Sequence, residues 1–167
     1  MIYILEKLKF YWEKAKKYII AIAIPLTVGL IAAALTMGDM DVYSKLKTPP
    51  LAPPAILFPI VWNILYILMG VSSALVYRDR ENNIEATRKG LLYYGISLAL
   101  TFAWTIIFFK FQAAFFALIC IFLMLYFIIR TILEYHKVNR VAAYLQIPYA
   151  IWVAFATYLN AGIWLLN

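Results

Sequence analysis

A chain of 167 residues that is 66% hydrophobic and only 14% charged is too apolar for a water-soluble domain, and its length suits one membrane domain. The net charge of +7 would fit a polyanion partner in a soluble protein, but here the cations flank uncharged runs, so nucleic acid is not expected. A lone Cys120 excludes an internal disulfide framework, and with a single His136 it leaves no set from which a metal site could be built.

Residues 1–17 form a basic N-terminal flank in which Leu5, Leu8 and Trp12 recur at helical spacing. That pattern fits either an interfacial helix or the ordinary positive flank of a first span. The first apolar run, 18–37, exceeds the apolar region of a cleaved signal peptide and reads as a membrane helix, with Pro25 and Gly29 as candidates for a kink or a close helix contact. Residues 38–54 follow as a loop. Pro49, Pro50, Pro53 and Pro54 fix φ and cannot donate backbone hydrogen bonds, so the loop has little entropy to lose and is expected to be an ordered lid.

The second helix, 55–77, places Phe58, Trp62, Tyr66, Met69 and Ser73 on one face. Residues 78–89 are a charged connector that reads as a solvated face. The third helix, 91–109, is two-sided. Gly95, Ala99 and Ala103 point one way, a spacing that lets helices approach closely, either inside the bundle or in a homodimer contact, while Ser97, Thr101, Trp104 and Phe108 point the other. The fourth helix, about 112–133, has an uncharged core over 113–129. The fifth, 142–166, puts Trp152, Phe155, Ala156 and Leu159 on one face, turns Trp164 towards an interfacial belt, and buries the amide Asn160, which needs another helix or a cavity.

These runs predict an all-α membrane protein, a bundle of five transmembrane helices. Lys7, Lys9, Lys14, Lys16, Lys17, Arg78, Arg80, Arg88, Lys89, Arg130, Lys137 and Arg140 fall on one side of it, against Lys45, Lys47 and Lys110 on the other. The positive-inside rule then predicts N-in/C-out topology with the lid outside, in the cytoplasmic membrane if the source is bacterial.

The uncharged runs lack the midplane ionisable groups that ion-coupled transporters keep, and no half-to-half repeat is visible. No axial-ligand pair for haem and no nucleophile–base–acid set can be assembled, so no catalytic residue, metal or obligatory cofactor is assigned. What remains is aromatic: Trp62, Tyr66, Trp104, Phe108 and Trp152 lie on inward stripes. Such stripes can be plain core or the wall of a pocket that stacks a flat apolar ligand, and the proline lid favours the pocket.

The order Pro49-Pro-x-x-Pro-Pro54, Phe58-Pro-Ile-Val-Trp62-x-x-Leu-Tyr66-x-x-Met-Gly70, Leu98-Ala-Leu-Thr-Phe-Ala-Trp104-x-x-x-Phe108-Phe109 and Pro148-Tyr-x-x-Trp152-x-x-Phe155-Ala156-x-x-Leu-Asn160 resembles the translocator protein / tryptophan-rich sensory protein family, over about residues 25 to 164. The resemblance implies a five-helix bundle, often dimeric, that binds porphyrins such as protoporphyrin IX and benzodiazepine-type ligands beneath the first loop. It implies a receptor or sensor, with light-dependent porphyrin breakdown or passive carriage of lipophilic molecules as alternatives. By motif position the ligand site would comprise Tyr43, Phe58, Trp62, Thr101, Trp104, Phe108, Trp152 and Ala156, with Trp62 and Trp104 the reactive residues if porphyrin photo-oxidation occurs. The chain departs from the pattern at Val42 and Leu51, where the family often has tryptophan, and at Thr101, where it has asparagine. Ala161, Gly162 and Leu165 replace the terminal sterol motif, so sterol binding there is not expected.

Overall fold

A computed structural model describes the backbone over residues 2–39 and 42–167, and the side chains of 11, 12, 15–39, 43 and 45–167. Five long helices carry the fold: α1 (Ile2–Thr36), α2 (Leu57–Arg78), α3 (Ile84–Thr105), α4 (Ala114–His136) and α5 (Arg140–Leu166). Among the described residues there is no strand, and all five helices are long and apolar enough to cross a bilayer. The protein is an integral, multi-pass membrane bundle.

The helices form a ring in which α1 packs on α2, α2 on α5, α5 on α4, α4 on α3, and α3 returns to α1. Two starts are set by capping: the side chain of Asn83 accepts from the backbone N–H of Ala86 (3.0 Å), and that of Asn139 from Ala142 (2.9 Å). This is why α3 begins ahead of the apolar run that opens at Leu91. α1 begins at Ile2, so the basic flank continues the first span as helix; the side chains of Leu5 and Leu8, two of the three residues of its amphipathic pattern, lie outside the described residues. α4 continues beyond its uncharged core and carries Arg130 and Glu134 within the helix.

Close approach of α1 and α2 depends on glycine. A Cβ on Gly70 would overlap the backbone of Ile22, and one on Gly29 would overlap the ring of Tyr66. Buried side chains lock the bundle: near the basic loops Ser72 donates to the Ala142 carbonyl (2.7 Å) and Gln146 donates to Ser72 (3.2 Å), and at mid-bundle the Thr101 and Tyr149 hydroxyls meet at 2.6 Å. The Gly95 and Ala99 positions are exposed on the outside of the bundle, with nothing near a Cβ built on Gly95, while Ala103 is half-buried.

At the opposite end α3 widens into a π-helical turn, Ile106–Lys110, and Gln112, at φ 51°, turns the chain into α4. The proline-rich loop is tied to α5. Tyr158 donates to the Pro50 carbonyl (2.8 Å), Asn167 exchanges two hydrogen bonds with the backbone of Lys47 (2.9 and 3.0 Å), and the Pro49 ring fills the space left by Gly162. Leu51, at φ 67°, sits at the corner of a turn closed by Ala52 N–H on the Pro49 carbonyl (3.3 Å), and its side chain is 85% exposed.

Candidate functional site

A cavity of about 400 Å³ lies beneath the loop, within the range that holds a drug-sized ligand. α2 supplies its main wall. Phe58, Trp62 and Tyr66 follow one another at i+4 along the helix and line it together, with Pro59 and Asn63 beside them. Trp104 and Thr105 of α3 and Phe109 of the π-helical turn close a second side, and Tyr43 covers the cavity from the loop. The Tyr43 hydroxyl donates to the Pro53 carbonyl (3.2 Å), and its ring meets Phe58 edge-on at 5.0 Å, so its position depends on the proline segment.

The aromatic rings are mutually braced. Trp62 lies 5.5 Å from Tyr66, 6.1 Å from Tyr149 and 6.5 Å from Trp104, and Trp104 stacks on Phe108 at 5.4 Å. The Trp104 indole N–H donates to the Asn160 side-chain oxygen (3.0 Å), whose amide nitrogen donates in turn to the Ala114 carbonyl (2.8 Å). Asn160 thus does what its place in the membrane demands: it joins α3, α5 and the start of α4.

Of the eight residues expected at the site, Tyr43, Phe58, Trp62 and Trp104 line the cavity. Phe108 and Ala156 wall a narrow crevice that adjoins it and shares Tyr43, Phe58 and Trp104. Trp152 stands one layer behind, with its ring edge-on to Phe58 at 5.9 Å and its indole N–H sealed without a partner. Thr101 does not line the cavity. It is 1% exposed and engaged with Tyr149 and the Ser97 carbonyl (2.9 Å).

Helical periodicity did not reveal the wall formed by α1. Leu26, Gly29, Leu30, Ala32 and Ala33 line the cavity, and their only sequence signal was small size at Gly29 and in the alanine run. The exposed Leu30 and Ile56 both belong to the lining, so the cavity opens where α1 and α2 part above the Gly29–Tyr66 contact.

Among the described residues, no charged one lines this cavity. Among the described residues, neither the Trp62 indole N–H nor the Tyr66 hydroxyl has a hydrogen-bond partner, and neither atom is sealed from its surroundings. The cavity therefore offers flat apolar faces plus two unengaged polar tips, a combination suited to orienting an aromatic ligand with a few heteroatoms.

The TspO/MBR family model matches residues 21–165. The chain is 35% identical to the tryptophan-rich protein TspO of Chlorobaculum tepidum, over 89% of this chain and 94% of that protein. It is 31% identical to the translocator protein of Bos taurus, over 84% of each chain. The tryptophan-rich sensory protein of Cereibacter sphaeroides is 30% identical, over 93% of this chain and 92% of that one. Together with a five-span bundle that covers an aromatic cavity with a proline-rich loop, these matches place the chain in the TspO/MBR family.

Proposed function

We propose that the protein is a membrane receptor or sensor whose cavity binds porphyrins of the protoporphyrin IX type and benzodiazepine-type ligands, with the proline-rich loop as its lid. The observation that carries this reading is the pair of unengaged polar tips, Trp62 and Tyr66, in a largely apolar, aromatic cavity. A flat ligand there gains stacking against Trp62 and burial against α1 without displacing a charge. A tetrapyrrole would also draw on the crevice walled by Phe108 and Ala156. The name of the Cereibacter sphaeroides relative, tryptophan-rich sensory protein, agrees with a sensing role. By the positive-inside rule, the lid and cavity face away from the cytoplasm.

The test is a titration of detergent-purified protein with protoporphyrin IX, followed by tryptophan quenching. Saturable quenching that weakens by about twofold to tenfold in Trp62→Phe, the loss expected for one ring contact, supports the site. Undiminished affinity in that variant removes Trp62 from it. A second reading, light-dependent breakdown of the bound porphyrin, is favoured by one feature: Trp62 and Trp104 line the same cavity 6.5 Å apart. Bleaching under illumination at equal rates with and without protein would end it.

A further inference from the structure

We propose that α3 and α4 hold the phosphodiester of a membrane lipid at Arg130, near the basic end of the bundle and on the outside of the ring. Arg130 lies within α4, about 9 Å along the axis before its last residue, His136. Its guanidinium is over the ring of Tyr93 of α3, at 5.2 Å from the centroid, and beside that of Tyr126, at 6.0 Å. Nη1 donates to the Tyr126 hydroxyl at 3.3 Å, and Nε is buried with no partner. Tyr93 is itself braced on Phe127 at 5.9 Å, so the two helices together form the cradle.

The neighbouring carboxylates are already engaged. Glu85 of α3 pairs with Lys89 at 2.6 Å, and Glu134 of α4, 5% exposed, pairs with Lys137 at 2.9 Å. Among the described residues Arg130 has no ion-pair partner. A guanidinium at this depth, with aromatic rings in place of a carboxylate, calls for an anion from outside the protein. With Nε sealed, the Nη side of the planar guanidinium fork is left to meet a phosphate, and the tyrosine rings add cation–π support without neutralising the charge.

The same face of α4 identifies the source of that anion. Ile119, Leu123 and Tyr126 fall on the Arg130 stripe and are each about half exposed, at 47, 49 and 52%. They form an apolar track of lipid-facing side chains that leads from Arg130 towards the bilayer interior. A headgroup phosphate on Arg130 with its acyl chain along that track satisfies both the charge and the exposed apolar surface; a soluble phosphate satisfies only the first.

The test uses the full protein in nanodiscs of mixed phosphatidylcholine and phosphatidylglycerol, released for native mass spectrometry. Wild type and Arg88→Gln should retain a phospholipid adduct, and Arg130→Gln should retain at least about tenfold less, the loss of one charge-assisted contact. If Arg130→Gln does not assemble, Arg130→Lys decides. It keeps the charge but loses the fork, so weaker retention supports the site and full retention overturns it. Equal retention in wild type and Arg130→Gln overturns the proposal, as does stripping of the wild-type adduct by inorganic phosphate. Loss of self-association in Arg130→Gln with lipid retention unchanged would mean that a second copy covers this face, and would overturn it as well.

Discussion

The two halves of the bundle differ in how closely their helices pack. In the half nearer the basic loops, Ser72 and Gln146 tie helix to helix, with Thr101 and Tyr149 doing so at mid-bundle, and Gly70 lets α1 lie directly on α2. In the half beneath the proline loop, α1 and α2 part, Trp62 and Tyr66 keep their polar atoms unengaged, and about 400 Å³ opens between them. Close packing and direct helix-to-helix hydrogen bonds make the first half a clamp, although among the described residues the Thr87, Tyr94 and Tyr135 hydroxyls stay buried there without a partner. That clamp lets the second half leave apolar surface unfilled without collapse.

Substitutions can break this comparison. The largest effect is expected of Gly70→Leu, which forces a branched side chain into the backbone of Ile22. Overpacking at a helix contact should cost about 3 kcal/mol or abolish assembly, read from thermal unfolding in detergent by circular dichroism. A stable variant would mean that the clamp does not depend on this contact. Ala33→Trp should act on the other half, filling the opening from the α1 side and lowering protoporphyrin IX affinity about tenfold with little change in unfolding temperature. Unchanged affinity would remove α1 from the site.

Gly95→Leu probes neither half, because its Cβ meets nothing within the protomer. Stability within one chain should change by about 0.5 kcal/mol or less. If Gly95, Ala99 and Ala103 form the homodimer contact that their spacing allows, association measured by analytical ultracentrifugation should weaken; unaltered association retires that contact. The smallest effect concerns Asp79, just past the end of α2. Its carboxyl is held below its ordinary value by hydrogen bonds from Arg78 and from Asn139 (2.6 Å). A depressed folded-state value stabilises the fold above the unfolded carboxyl pKa of about 3.9, and that contribution fades as pH falls through the lower folded value. Asp79→Asn should remove a modest part of the acid dependence of unfolding between wild type and variant, and leave the difference between them smallest in strong acid.

Composition and periodicity by themselves determined the five spans, the shared face of Phe58, Trp62 and Tyr66, and the opposed faces of Trp104 and Gly95, because bilayer length and the 3.6-residue repeat are local properties of the chain. They also required a partner for Asn160 without naming Trp104, since an unpaired amide in hydrocarbon is costly wherever it lies. Tertiary structure alone decided which helix neighbours which. That order makes α1 a cavity wall, sets Trp152 behind Phe58, and lets Tyr149 of α5 engage Thr101, turning an expected ligand residue into a helix tie. Ring order also places Tyr93 over Arg130, a charge within the expected fourth helix whose neighbours on α3 periodicity could not name. Periodicity tells which residues of a helix share a face, but the partner of that face is chosen by the packing of all five helices at once.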